Sequence, residues 1–351
     1  MSTATVFDGR AIAAVTRQTL ALREQAHPGQ SVAVVYGPVS AEDQLYLAKS
    51  PKDQLSVTAL TETLTALGHH CEVLDPCDPG FVQALTRFDV VLSNQHGAFG
   101  EDGRLQGLLD YLRVPYCGNG VAASAVAADK ILCKRLMESL GVPTPDWQVW
   151  PDGEITWTGS PVMVKPSLGG SSVGMSLVRE ETDLPQALAE ASDTDHAPVL
   201  VEEYVEGTPV TVGLLELPEG VVVFPPLATE VHTGDFYDAD TKLDVAGQNP
   251  VTVVAAELPE AVLTSLTSYA RALWEGLGCR GTARADFVVT TDGQVFALEV
   301  NTNPGMSKGA NFIAGAALCG LSHADVVLAV LHEALTRPAY DVPLPSPVFT
   351  S

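Results

Sequence analysis

The sequence predicts an α/β protein with more than one domain. Short apolar runs at 31–37, 71–75 and 88–93 alternate with segments of helical periodicity at 8–26 and 56–67. This alternation is typical of a sheet whose strands are connected by helices. The chain has 351 residues, of which 46% are hydrophobic, and this length predicts two or three domains.

The composition narrows the range of partners. The net charge is −24, from 43 acidic and 19 basic residues, which disfavours binding to nucleic acid or to an anionic membrane. No apolar run approaches the ~18 residues of a membrane span, and the N-terminus lacks the pattern of a signal peptide. The six cysteines have no CxxC spacing, which favours reduced thiols. We therefore expect a cytoplasmic protein.

A glycine-rich polar segment follows the third predicted strand, at residues 94–107. Ligands in α/β sheets bind where strands end, so this segment is a candidate binding loop; the alternative is a purely structural turn. The next helix is predicted from Ser124, as its N-cap, to Leu140, and it carries Asp129 and Lys130. We place the first domain boundary near the start of this helix.

A second glycine-rich segment, 167–174, joins predicted strands at 162–166 and 175–178. Consecutive backbone N–H groups in such a loop bind phosphate, and the preceding Lys165 adds a positive charge. The alternative is an ordinary flexible turn. The strand at 198–205 then enters a linker that either binds a base edge or simply ends the strand. The long polar loop at 229–250 is typical of a lid over an active site.

The most informative stretch is a predicted hairpin with a turn at Asp292-Gly293. Asp286 lies in its first strand, and Glu299 and Asn301 lie two residues apart in the second, so they share one face. Oxygen donors of this kind are the ligands that Mg²⁺ prefers. The alternative is a hairpin whose polar side chains simply face water.

These segments together resemble the D-alanine–D-alanine ligase family of the ATP-grasp superfamily, over roughly residues 32–336. Segments that resemble the family's motifs HGxxGEDGxxQG, PYxG, KPxxxGSSVG, FYDYxxK, RxD and ENTxPGM follow one another in the family's order. The corresponding segments begin at His96, Pro115, Lys165, Phe236, Arg284 and Glu299. The resemblance implies an ATP-grasp fold, with an N-terminal α/β domain at 1–125, a central lobe at 126–220 and a C-terminal lobe at 221–351.

The resemblance also implies a role for each matching residue. ATP is held through its phosphates and its adenine by Lys130, Lys165, Ser171, Ser172, Glu202 and the backbone near Val205. The γ-phosphate is reached by Lys242. Two Mg²⁺ ions, with Mn²⁺ as an alternative, are bound by Asp286, Glu299 and Asn301. Arg284 stabilises the transferred phosphoryl group or the tetrahedral intermediate. Glu42, with Ser171 nearby, holds the ammonium of the first amino acid, and His96 either orients the acyl phosphate or bonds within its loop. A homodimer is implied as well.

The resemblance weakens where substrates are held. Leu243 replaces an aromatic residue, Ala310 lies where the family usually offers a hydroxyl, and the loop before Glu42 is altered. Lys308 or Asn311 is a candidate substitute contact for the second substrate. Since a lost buried polar contact is worth about 1–3 kcal/mol, we expect an ATP-dependent carboxylate–amine ligase with a specialised substrate pair. The alternatives are a housekeeping D-alanine–D-alanine ligase, a natural-product ligase acting on a mycosporine-type core, a small-molecule kinase and a non-catalytic nucleotide-binding protein.

Overall fold

The computed structural model describes residues 9–25, 29–38, 55–151, 153–168, 174–195, 197–231 and 251–338. Three sheets organise these residues. The first confirms the predicted α/β character of the N-terminal region, because its three strands are parallel: β1 (Ser31–Val35), β2 (His70–Leu74) and β3 (Val90–Ser93), in the order β2-β1-β3. The central strand β1 is fully buried from Val32 to Val35, as expected for a parallel strand with covered faces.

Helices surround this first sheet. They are α1 (Gly9–Gln25), α2 (Ser56–Ala66), α3 (Phe81–Leu85) and α4 (Arg104–Leu112). Apolar residues of α1 and α2, such as Leu22 and Leu60, share a core with β1 and β3. Beside β3, Tyr116 forms an isolated parallel bridge with Val91.

The second sheet is antiparallel and contains four strands in the order β4-β7-β5-β6. The strands are β4 (Trp147–Trp150), β5 (Val162–Pro166), β6 (Ser176–Val178) and β7 (Val199–Glu203). One helix, α7 (Leu184–Asp195), covers the sheet through a small apolar core that includes Val164 and Ala191. The predicted glycine-rich segment at 167–174 follows β5 in the chain, and residues 169–173 of it lie outside the described residues.

The third sheet has six strands in the order β11-β10-β8-β12-β13, with β9 paired to β8. The strands are β8 (Thr208–Leu217), β9 (Gly220–Val223), β10 (Leu227–Val231), β11 (Val251–Ala255), β12 (Thr282–Val289) and β13 (Val295–Asn301). One face packs on α5 (Val121–Ala128), α6 (Lys130–Ser139) and α8 (Glu260–Leu277). The other face packs on α9 (Asn311–Leu318) and α10 (His323–Thr336), and α10 also contacts α1 and α2, so it joins the first and third sheets.

The helix predicted from Ser124 to Leu140 is two helices, α5 and α6. Asp129 interrupts them because its backbone is extended, with φ −93° and ψ 106°. Its side chain caps α6 by accepting hydrogen bonds from the N–H groups of Ile131 and Leu132, at 2.9 and 3.1 Å. The prediction that Ser124 caps a helix is therefore wrong, since Ser124 is buried inside α5 and Gly120 precedes that helix.

The strand pairing bears on where the domains divide. β8 pairs with β12 along eight residues and thus lies inside the third sheet. A boundary at 220 would separate β8 from that sheet. We therefore propose that the second boundary lies between β7 and β8, with the first boundary near residue 125 kept as a prediction.

Among the described residues, no single helix is long and apolar enough to cross a membrane. Only α9 and α10, taken as a pair bent by 99°, meet the length and composition requirement together.

Candidate active site

The predicted hairpin is present as β12 and β13, an antiparallel pair whose turn contains Asp292 and Gly293. Gly293 has φ +85°, a left-handed conformation that glycine adopts without strain. In the pairing, Asp286 lies directly opposite Glu299, and Arg284 lies opposite Asn301. All four side chains therefore lie on one face of the sheet, as the two-residue spacing predicts.

A β-bulge keeps this polar face separate from the core. The register shifts between Asp286 and Phe287, so that Phe287 pairs with Ala297 and Leu298 has no partner. The extra residue lets Ala297 and Val300 both face the core, where each is at most 5% exposed, although they are three residues apart. Glu299 and Asn301 consequently remain on the half-buried polar face.

Asp286 is held by its neighbours on this face. Arg284 donates from Nε to Oδ1 at 2.9 Å and from Nη2 to Oδ2 at 2.7 Å, and Thr211 on β8 donates to Oδ1 at 2.5 Å. Asn301 is also fixed, because its Oδ1 accepts a hydrogen bond from the Asn303 backbone at 2.8 Å. These contacts orient the side chains without any outside ligand.

The donor set fits a hard cation such as Mg²⁺, since it consists of two carboxylates and one amide oxygen. Within the described ranges, no three His, Cys, Asp or Glu side chains are grouped closely enough to bind a metal. The predicted site thus depends on Asn301 as its third protein ligand, and on Asp286 sharing its oxygens between Arg284 and the ion.

A buried ionic cluster lies in the second sheet. Lys165 on β5 contacts Oε1 of Glu202 on β7, and Lys134 Nζ on α6 lies 2.6 Å from Oε2. Lys134 and Glu202 are 1% and 2% exposed. The two ammonium groups therefore lie against different oxygens of the one Glu202 carboxylate.

Charge and burial oppose each other in this cluster. Burial alone raises the pKa of the Glu202 carboxyl, but the Lys165 and Lys134 charges outweigh burial and lower that pKa below its usual range. Burial lowers the pKa of Lys134, and Glu202 partly restores it. Glu202 is therefore ionised. Lys134 was missed by the sequence predictions, although it lies four residues after Lys130 and thus near the same helical face.

Lys130 lies close to the start of the predicted glycine-rich segment at 167–174. Its backbone N–H donates to the Ser167 carbonyl at 2.9 Å, and its Nζ lies 3.5 Å from the Leu168 carbonyl. Val205 follows two residues after Glu203, the last residue of β7, and is half-buried. The structure thus brings Lys165 and Glu202 into direct contact and ties Lys130 to the segment that continues from β5.

The loop that carries His96 is held by its own acidic residue. Glu101 accepts a hydrogen bond from the Gly97 backbone at 2.8 Å, and its other oxygen lies 3.2 Å from His96 Nδ1. Gly100 approaches the Gln95 carbonyl so closely that a Cβ there would lie 2.0 Å from the oxygen. These contacts match the alternative in which His96 bonds within its loop, and the acyl-phosphate role stays a prediction.

Asparagines connect this loop to the end of β13. Asn303 Nδ2 donates to the Gln95 carbonyl at 2.9 Å, and Asn94 Nδ2 donates to the Pro304 carbonyl at 3.2 Å. Asn94 is fully buried. The first sheet therefore presents its loop beside the hairpin that carries Glu299.

The remaining predicted site residues have mixed outcomes. Glu42, Ser171, Ser172 and Lys242 lie outside the described residues, as does Leu243. Lys308 is paired with Glu62 of α2 at 2.7 Å, and Asn311 is the first residue of α9. The suggestion that one of these two contacts the second substrate stays a prediction.

Comparison with known proteins identifies the family. Residues 136–332 match the model of the D-ala D-ala ligase C-terminus. A D-alanine--D-alanine ligase of Synechococcus sp. (strain JA-3-3Ab) is 34% identical over 330 residues, covering 90% of this chain and 97% of its own. The chain belongs to the D-alanine–D-alanine ligase family. It is therefore an ATP-dependent ligase that forms C–N bonds, in a family that uses ATP, a divalent metal and amino-acid substrates.

Solved structures of ligases share the fold. The D-alanine--D-alanine ligase of Bacillus anthracis complexed with ATP has a TM-score of 0.73 and 23% identity, covering 88% of this chain and 98% of its own. D-alanyl-alanine synthetase A of Vibrio cholerae has a TM-score of 0.77 and 22% identity, covering 89% and 100%. The predicted ATP-grasp fold is thus confirmed.

Proposed function

We propose that the protein joins two D-amino acids, with D-alanine as the reference substrate, through an acyl phosphate made from ATP. The first carboxylate attacks the γ-phosphorus and ADP leaves; the amine of the second amino acid then displaces phosphate and the amide forms. The observation that carries this proposal is the single polar face of the hairpin, which gathers two carboxylates, an amide and a guanidinium above a buried core.

Each group on that face suits one part of the reaction. Asp286, Glu299 and Asn301 would hold two Mg²⁺ ions, which supply positive charge to the phosphates. Arg284 lies beside these ligands, where a guanidinium stabilises the charge of a transferred phosphoryl group. No nucleophilic side chain is needed, because the reaction depends on positioning and charge neutralisation.

ATP would bind against the second sheet. Lys165 and Lys130 lie at the entrance to the glycine-rich segment and supply charge for the phosphates. Glu202 would lie beside the adenine, next to the buried ionic cluster that it forms with Lys134 and Lys165. The backbone near Val205 would contact the base edge. Ser171, Ser172 and Lys242 stay predictions for the phosphates, and Glu42 with Ser171 for the first amino acid.

A second candidate is a ligase of the same chemistry with a different second substrate. The observations that favour it are the methyl side chain of Ala310 and the pairing of Lys308 with Glu62, which directs that ammonium towards α2. The mycosporine-type reaction has no support in the described residues. The homodimer and the cytoplasmic location stay predictions.

A phosphate-release assay with D- and L-amino acids, singly and in pairs, tests the proposal, with products identified by mass. We expect ATP-dependent release with D-alanine and a dipeptide product. Glu299→Ala should abolish turnover, and the urea concentration at the midpoint of its unfolding should equal that of the wild type. The control Glu275→Ala, at an exposed position on α8, should remain active.

Three other results of these assays would favour a different function or contradict the metal site. Turnover that requires a different second amino acid would support the second candidate. A phosphorylated product without amide would contradict ligation and identify a kinase. Near-normal activity of Glu299→Ala would refute the metal assignment.

A further inference from the structure

We propose that Lys134 is a positioning residue for ATP, which binds Glu202 from a neighbouring structural layer and thereby leaves Lys165 available to the nucleotide phosphates. This inference rests on the proposed ATP site and adds a residue to it.

The helix that carries Lys134 packs on the third sheet, whereas the Lys134 side chain pairs with a residue of the second sheet. The neighbouring residues Cys133 and Met137 of α6 pack in the core beneath the third sheet. The Lys134 ammonium instead reaches Glu202 on β7 of the second sheet, 2.6 Å away. The ion pair therefore connects α6, which packs on the third sheet, to the second sheet, against which ATP is proposed to bind.

A hydrogen-bond chain continues from Lys134 to the metal hairpin. Its Nζ also donates to the Thr144 hydroxyl, and this hydroxyl donates to the Ala297 carbonyl at 2.8 Å. Ala297 lies on β13, two residues before Glu299. Because Thr144 uses its single hydrogen on Ala297, it accepts from Lys134, and the ammonium is held at a defined position between β7 and β13.

The charges in the cluster do not cancel. Lys134 and Lys165 share the one Glu202 carboxylate, so with both lysines protonated the buried cluster carries one excess positive charge, although burial lowers the pKa of Lys134. Lys134 occupies Oε2, which leaves Lys165 with the other oxygen alone. A buried excess charge favours binding of an anion. Without Lys134, Glu202 and Lys165 would form a neutral pair with less attraction for phosphate.

Lys134→Met tests this role, with Arg135→Met as its matched control. Arg135 is the next residue on α6, is exposed, and loses the same charge. We expect Lys134→Met to raise KM for ATP about tenfold, equivalent to ~1.4 kcal/mol. kcat and KM for the amino acids should stay close to wild type. Arg135→Met should leave KM for ATP, kcat and KM for the amino acids unchanged. Lys134→Arg keeps the positive charge and should therefore retain most of the affinity for ATP.

Equal losses in all kinetic constants, or an unchanged KM for ATP, would overturn the proposal. If Lys134→Met does not fold, Thr144→Val replaces it as the test. This variant removes the hydroxyl that holds Lys134 and keeps the ion pair, and it should raise KM for ATP about threefold. An unchanged KM for ATP in the folded Thr144→Val variant would then overturn the proposal.

Lys165→Met separates this inference from the proposed function. A raised KM for ATP in Lys165→Met, with no change in Lys134→Met, would reject only the role of Lys134. A wild-type KM for ATP in Lys165→Met would reject the ATP site on which the inference rests.

Discussion

Glu202 and Glu333 are both buried carboxylates with two basic residues nearby, yet their ionisation differs. The Glu202 pKa is lowered and its carboxylate stays charged. Burial raises the pKa of Glu333 on α10 to about 7, and the nearby Arg337 and Arg280 charges offset burial only in part. The number of basic side chains therefore does not decide whether a buried carboxylate is charged.

The geometry of the contacts explains the difference. Each oxygen of Glu202 lies next to an ammonium group. For Glu333, Oε1 lies 3.3 Å from Arg337 Nη1, and Oε2 has no hydrogen-bond partner among the described residues.

Arg337 and Arg280 both contact groups other than Glu333. Arg337 and Arg280 each stack on the Tyr116 ring at 5.0 Å. They also donate to the carbonyls of Tyr116 and Gly118, at 2.5 and 2.9 Å. Arg337 Nη1 lies beside Glu333 but makes no hydrogen bond among the described residues, and a nearby charge without a hydrogen bond offsets burial only in part.

The largest effect is expected from Glu202→Gln. Removing the shared carboxylate leaves two buried ammonium groups without their counter-charge, which should lower the free energy of unfolding by about 3–5 kcal/mol and impair ATP binding. Glu203→Gln changes the adjacent, exposed position on β7 and should stay within ~0.5 kcal/mol of wild type. Urea unfolding at pH 7.5 measures both. A similar free energy of unfolding for the two variants would show that the Glu202 charge contributes nothing to stability.

Glu333→Gln should raise the free energy of unfolding, whereas Glu202→Gln lowers it, and the size of the increase should depend on pH. The folded-state pKa of about 7 lies above the ordinary value of 4.5, so the native protein retains a proton that the unfolded chain loses. The wild type therefore loses stability as pH rises from about 4.5 to 7. The variant should match the wild type at pH 5 and exceed it by about 1–3 kcal/mol at pH 8.

Urea unfolding at both pH values tests this prediction, with the exposed Glu219→Gln as control. A stability difference that does not change with pH would mean that Glu333 ionises like an ordinary carboxylate.

The smallest effect is expected at the exposed pair of Lys308 and Glu62. Their side chains are 61% and 58% exposed, so water and salt screen the attraction. Lys308→Ala should cost about 0.2–1 kcal/mol of stability, and the cost should shrink at high salt. The same variant shows whether Lys308 contacts the second substrate, because KM for that amino acid would then rise while stability hardly changes.

Local patterns predicted much of the fold and the hairpin. The spacing of Glu299 and Asn301, and the turn at Gly293, are properties of a few adjacent residues, so they are visible in the sequence. The break at Asp129 was missed because its side chain competes with the helix for backbone N–H groups. The burial of Lys134 was missed because it depends on two sheets meeting around one lysine, which no local pattern encodes.

The bulge at Leu298 restricts how the length of this hairpin can change. Side chains of a strand alternate between its two faces, so a deletion or insertion between Ala297 and Glu299 would turn either the core residues or the polar residues to the wrong side. Length changes at the exposed turn around Asp292 avoid this problem, since that turn lies beyond both sets. Variation in hairpin length is therefore expected at the turn, while the five residues from Ala297 to Asn301 keep their number.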